Sequence, residues 1–174
     1  QSFSVAAQDV TPKGVAFNTD GTKMFIAGGN GDDIGEYALT TGFDVSTASF
    51  TDLFNSQPQD TKPEDVVFNT DGTLMFIVGD ENDNVYQYTL TTGFDVSTAS
   101  YSVSFSIASQ ETDPSGLTFS PDGTKMYVVG YQFIYQYTSA TVAIPTGYQP
   151  CIGSNIDTTY WTDINSLTAT NAVG

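Results

Sequence analysis

The chain has 174 residues, with 20 acidic and 4 basic side chains, no His, a formal net charge of −16 and a pI of about 4.1. This excludes a sequence-independent nucleic-acid binder, which needs Lys and Arg to displace counterions from phosphates. It also disfavours an anionic membrane surface, and without imidazole it removes His-based triads and most zinc sites. With 39% hydrophobic and 13% aromatic residues the chain is expected to fold. One cysteine, Cys151, allows no internal disulfide, and no apolar run reaches the roughly 18 residues of a membrane helix.

The predicted elements follow a repeat. Residues 1–8 are read as an outer strand, in register with later copies: Phe3 matches Phe54 and Phe105, and Gln8 matches Gln59 and Gln110. Copies then run near 9–59, 60–110 and 111–138. The first copy predicts four strands: Gly14–Phe17, Lys23–Ala27, Ile34–Leu39 and one around Ser49–Phe54. Each is short, rich in β-branched and aromatic residues, and bounded by turn signals.

Asn18-Thr19-Asp20-Gly21, Asn69-Thr70-Asp71-Gly72 and Ser120-Pro121-Asp122-Gly123 read as tight hairpin turns, with Asp capping backbone N–H groups and Gly supplying positive φ. The segment Thr40 to Ser49 recurs unchanged as Thr91 to Ser100; its Asp44 and Asp95 are expected to cap the Ser/Thr turn that follows. Pro12, Pro63 and Pro114 keep phase, as do Gly28, Gly79 and Gly130. Tyr37 and Tyr88 are 51 apart but Tyr88 and Tyr137 are 49 apart, so the third copy is two residues shorter there.

Four antiparallel strands per unit of this size predict an all-β fold of β-propeller-type blades, three repeats with a non-repeat tail. The pattern P-x-[GD]-x-x-F-x-x-D-G-T-[KL]-M-[FY]-[IV], followed in the second and third copies by Tyr-Gln-Tyr, resembles the YVTN and YncE-like propeller repeats, relatives of WD40 and NHL blades. The first copy departs from it with Glu36-Tyr37-Ala38. The resemblance spans residues 1–138 and implies a fold, since such propellers host unrelated activities.

Three blades are fewer than the 4–8 of typical rings. A chain starting at Gln is therefore read as processed or as part of a longer protein, or else several chains combine their blades. Residues 139–174 are read as an extended linker and a C-terminal segment; their Asp157-Thr158-Thr159-Tyr160-Trp161 stretch resembles segments in structural proteins of marine bacteriophages.

Candidate site residues are few. Asp32 and Asp33 in one loop, and Asp80 and Asp83 in its copy, have the oxygen ligands that Ca²⁺ takes. The competing reading is that these are ordinary polar hairpin loops, and the third copy has Tyr131-Gln132-Phe133 there instead. Trp161 and Tyr160 are candidates for stacking on a sugar. No catalytic residue is expected, because every paired carboxylate repeats with the blade. The expected function is a non-catalytic structural or interaction module of an extracellular assembly, a phage virion protein such as a tail fibre or surface-decorating protein. The alternative is a secreted adhesin or filament subunit that binds carbohydrate. Expected partners are other copies of the chain, other subunits of a virion or filament, and cell-surface glycans, with no nucleic acid and no membrane insertion.

Overall fold

The computed structural model describes residues 1–138 and the backbone of a strand at Thr168–Asn171. The described residues form three four-stranded antiparallel sheets. The first holds β1 (Pro12–Phe17), β2 (Lys23–Gly28), β3 (Asp33–Leu39) and β4 (Ala48–Asn55). The second holds β5 (Pro63–Phe68), β6 (Leu74–Gly79), β7 (Asn84–Leu90) and β8 (Ala99–Ser106). The third holds β9 (Gly116–Phe119), β10 (Lys125–Val129), β11 (Ile134–Thr138) and β12 (Thr168–Asn171). The predicted strands of the first copy are each present, one or two residues longer. The fold is all-β and built of propeller-type blades.

Register follows the repeat. Met24 pairs with Tyr37, Met75 with Tyr88 and Met126 with Tyr137, so the two-residue shortening of the third copy falls in its β10–β11 loop. In the hairpin turns Gly21, Gly72 and Gly123 sit at φ of 71°, 72° and 68°, where a side chain is strained. Asp20 Oδ1 accepts Thr22 N–H at 3.0 Å and Thr22 Oγ1 at 2.6 Å, and Asp71 and Asp122 repeat the arrangement on Thr73 and Thr124. Asp44 and Asp95 cap the 3₁₀ turns Val45–Thr47 and Val96–Thr98 through the N–H of Ser46 and Ser97. Just before each cap a phenylalanine is left-handed, Phe43 at φ 60° and Phe94 at 57°. The ring then lies on the turn glycine: a Cβ on Gly21 would come within 2.4 Å of Phe43.

The sheets are apolar on both faces, as β6 shows with every residue buried. One face of the second sheet (Val66, Met75, Ile77, Tyr88) packs on Phe25, Ala27 and Ile34 of the first. Its other face (Phe76, Val78, Val85) packs on Leu117, Met126, Val128 and Tyr137 of the third. Strand β1 lies against β5, and β5 against β9, so the first strands of the blades line up side by side. An edge-to-face ring pair marks each outer joint: Phe54 on Tyr88 at 4.9 Å and Phe105 on Tyr137 at 5.2 Å.

Two end features differ from expectation. Residues 1–8 form no strand, although Phe3 sits edge-on to Tyr37 at 5.7 Å, just as Phe54 and Phe105 do in their joints. The reason is pairing: β4, β8 and β12 each bond to the third strand of their own sheet, so every third strand among the described residues already has its fourth. The packing of an outer strand is kept without its ladder. Conversely, the fourth strand of the third sheet comes from the segment set apart as a tail, with Tyr137 opposite Ala169 and Thr138 opposite Thr168.

Because Val66 is 0% exposed and its counterpart Val15 is 57% exposed, identical substitutions should diverge. Val66→Asp is expected to lower stability by about 3 kcal/mol or more, through an unpaired buried charge. Val15→Asp should stay within about 0.5 kcal/mol. Urea unfolding at sub-micromolar protein, where self-association is minimal, checks both.

Candidate functional site

The acid-rich β2–β3 and β6–β7 loops are held by hydrogen bonds of their own. Asp32 and Asp83 are left-handed, at φ 57° and 51°, which turns their carbonyls toward the next inter-sheet connection. Asp32 O accepts Ser56 N–H at 2.9 Å and Ser56 Oγ at 2.7 Å; Asp83 O accepts Ile107 N–H at 2.8 Å. Asp32 Oδ2 accepts Gln57 Nε2 at 3.1 Å, while Lys62 Nζ lies 3.7 Å from Asp80 and 2.9 Å from Glu81. Burial, then the charges of Asp32 and Asp9, push the Asp33 carboxyl above its ordinary range; burial, then Asp80, Asp60 and Glu111, do the same for Asp83.

Among the described residues no three acidic or thiol side chains converge as metal ligands. Asp32 and Asp33 sit on one sheet's loop and Asp80 and Asp83 on the next, so the four Ca²⁺ candidates form no single ligand set. Their backbone geometry serves the loop-to-connection bonds. Trp161, Tyr160 and Cys151 lie outside the described residues.

A different set of acids does the central work, and sequence reading passed over it. Asp9, Asp60 and Glu111 are 8%, 1% and 9% exposed and occupy the same position in each copy. Asp9 accepts the N–H groups of Thr11, Asn30 (3.0 Å) and Gly31 (2.9 Å). Asp60 accepts those of Lys62 (2.8 Å), Asn82 (3.1 Å) and Glu81 (3.3 Å), together with the Tyr86 hydroxyl at 3.2 Å. Glu111 accepts Thr112 and Asp113 N–H at 3.0 and 2.9 Å. Each carboxylate seats on a glycine: a Cβ on Gly28 or Gly79 would meet it at 2.3 Å, and one on Gly130 would overlap it. Burial alone would raise the Asp9 pKa, but the N–H donors of Asn30, Thr11 and Gly31 outweigh it and hold the carboxyl below its ordinary value. The available signal was an acid directly after each in-register Gln, with an in-register Gly 19 residues on.

Between sheets lies a second polar layer. Lys13 Nζ bridges both Glu64 oxygens, at 2.8 and 2.9 Å, across β1 and β5. Asp65 accepts Val66 N–H through Oδ1 and, across the gap to β9, Leu117 N–H through Oδ2, both at 2.9 Å; burial still pushes its pKa up. Gly14 makes room for it, since a Cβ there would lie 2.3 Å from Asp65 Oδ1. Farther out, Lys23 Nζ binds Glu36 at 2.7 Å and the Phe94 carbonyl at 2.6 Å, while Glu36 Oε2 accepts Val96 N–H at 3.0 Å. These bonds clasp the second sheet's 3₁₀ turn onto the first sheet.

The same positions in the second sheet are Leu74 and Gln87, and buried Gln87 Oε1 has no partner among the described residues. Gln8 and Gln59 accept the hydroxyls of Tyr37 and Tyr88 at 3.4 and 3.5 Å. In the third copy Gln110 turns to Ser109 instead, which leaves the Tyr137 hydroxyl without a partner among the described residues, and burial pushes that phenol up to about 12.

A small cleft beside Asp9 is lined by Gln8, Asp33, Gly35, Tyr37 and Leu53. The arrangement binds backbone to backbone.

No sequence-family profile matches the chain, and no curated protein does. Solved structures do. A functionally unknown protein from Desulfotomaculum acetoxidans matches with a TM-score of 0.59 at 15% identity, covering 84% of this chain and 46% of that one. A candidate 6-phosphogluconolactonase from Bacteroides uniformis matches at 0.57 and 16% identity, covering 86% and 44%. A β-propeller domain from Myceliophteria thermophila matches at 0.50 and 9% identity, covering 73% and 39%. The chain thus spans less than half of each of these structures. At such identities the likeness is one of fold.

Asp60→Ala is expected to cost about 3–5 kcal/mol, because it orphans three N–H groups and a buried hydroxyl. Gly79→Ala should destabilise comparably by displacing the same carboxylate; thermal melts check both. For pH the sign differs by residue. The depressed pKa of Asp9 gives stability present at neutral pH and lost as pH falls below about 4. The raised pKa of Asp65 costs stability at neutral pH and returns it on acidification. Asp9→Asn should therefore flatten the acid limb of the stability profile relative to wild type, and Asp65→Asn should steepen it.

Proposed function

We propose that the chain is a non-catalytic structural and interaction module, a run of propeller blades carried in an extracellular assembly. The observation that carries this reading is that Asp9, Asp60 and Glu111 each accept two or more main-chain N–H groups at one repeated position. The buried acids Asp9, Asp60 and Glu111 act as anchors, the Lys13–Glu64 pair joins the first sheet to the second, and the Lys23–Glu36 pair of the first sheet grips the second sheet's 3₁₀ turn. The sequence has neither His nor Arg to supply a base or an anion clamp. The phage-like tail motif favours a virion component, a tail-fibre or surface-decorating protein. A surface of this charge suits a salty medium, where repulsion is screened within about 10 Å.

A second reading is a carbohydrate-binding adhesin. Tyr131 and Phe133 favour it: they replace the acidic loop in the third copy and are 80% and 61% exposed. Flat exposed rings of this kind stack on sugars.

Several structural neighbours carry a lactonase name, which sets the decisive assay. The chain should not accelerate hydrolysis of gluconolactone or its 6-phosphate over buffer. Turnover that disappears in Glu64→Gln or Asp65→Asn would overturn the non-catalytic reading. For the adhesin, glycan-array signal lost in Tyr131→Ala and Phe133→Ala is the expected mark.

A further inference from the structure

The first and third sheets expose, on their outward faces, the residues that the second sheet buries. Facing backward, Val15 is 57% exposed where Val66 is 0% and Leu117 5%. Phe43 is 61% exposed, whereas its counterpart Phe94 packs against Phe25 and Phe68. Facing forward, Ile134 is 55% exposed where Ile34 is 0% and Val85 4%; Val129 is 39% exposed where Ala27 and Val78 are 0%. The two faces are the two halves of one joint, the joint already formed between the first and second sheets.

We infer that a second copy of this chain seats the backward face of its first sheet on the forward face of the third sheet, head to tail. The proposal deepens the interaction-module reading and rests on it. The internal joint supplies the fit. Phe25 packs tilted on Phe68 at 4.3 Å, and Phe76 on Phe119 at 4.7 Å; Tyr127 stands in the same register and meets Phe17 of the second copy. The polar clasp recurs as well. The second sheet has lost it, with Leu74 and Gln87, but the third sheet regains a lysine, Lys125, in the register of Lys23.

Diagonal to Lys125 on the neighbouring strand, opposite Tyr127, stands Gln136 in the register of Glu36. Its Nε2 donates to Thr138 Oγ1 at 3.4 Å, which leaves Oε1 free to accept. Lys125 Nζ then donates to the Phe43 carbonyl of the second copy, and Gln136 accepts from its Val45 N–H, as Lys23 and Glu36 do for Phe94 and Val96. The first sheet provides the 3₁₀ turn that this clasp grips. A joint of this kind is heterologous, so it propagates or closes a ring.

The net charge of −16 on each copy opposes association, so salt strengthens it. Sedimentation velocity on the full chain across protein concentrations is expected to show dimers or larger species, at least tenfold tighter at 0.5 M than at 0.05 M salt. Val15→Asp and Ile134→Asp, each checked for an unchanged unfolding transition at low concentration, should be monomeric alone. Mixed together they should form a 1:1 dimer and nothing larger, because each keeps one intact face. Lys125→Ala should weaken the wild-type species about tenfold.

A chain that is monomeric at every concentration and salt overturns the proposal. So do variants that still associate singly, or a mixture that stays monomeric. Each of these results, without lactone turnover, leaves the module reading standing; lactone turnover overturns that reading whatever the oligomer.

Discussion

Each sheet of this protein is apolar on both faces, and that one property governs its architecture. A sheet with a single apolar face can rest on one partner and present polar residues to water. The strand Leu74–Gly79 has no polar side, so the second sheet is stable only when sandwiched. Blade-on-blade stacking satisfies this requirement in the middle and leaves it open at either side. The exposed Val15, Phe43, Val129 and Ile134 are the visible remainder. Residues Phe3 and Val5 meet part of the need by lying on Tyr37, Met24 and Ile26 without forming a ladder.

Stacked sheets could slide past one another if apolar contact were all that held them. The polar layer prevents this. Asp65 accepting Leu117 N–H, Lys13 pairing with Glu64, and Glu36 with Lys23 gripping the turn at Phe94 to Val96 are directional bonds that work in one register. Their protons and charges sit where the faces meet, so they specify alignment while the aromatic and aliphatic contacts supply most of the adhesion. The buried acids act one level lower, within a blade. Asp9 and Asp60 fix the segment entering the blade to that blade's own second loop, while Glu111 bonds the N–H groups of Thr112 and Asp113 and seats on Gly130.

Much of this was legible in the sequence because the copies agree in phase. Strands, hairpin turns and the caps at Asp20 and Asp44 follow from local chemistry repeated at 51-residue spacing, and local chemistry is what a sequence displays. The anchors were legible only in part. Gln8 and Gly28 stood in register, yet the acid between them differs in type across copies, Asp, Asp and Glu, and its partners are main-chain N–H groups that leave no side-chain signature. The acidic loops carried two readings in sequence, cation ligands or ordinary turns, and the left-handed backbone of Asp32 and Asp83 is what a turn asks of Asp. The pairing of Thr168–Asn171 with β11 joins segments 30 or more residues apart and has no counterpart in the repeat to announce it.

The anchor at Asp9, Asp60 and Glu111 has one more consequence. Acid, glycine and loop all belong to a single copy: Asp9 meets Gly28, Asn30 and Gly31, and Asp60 meets Gly79, Glu81 and Asn82. A unit therefore carries its own fastening. Duplicating or deleting one copy in the gene leaves every remaining fastening whole and presents the same two faces to the neighbours on either side. The number of units in such an array can change in a single genetic step without any new interaction having to arise, so length itself becomes a trait that varies freely.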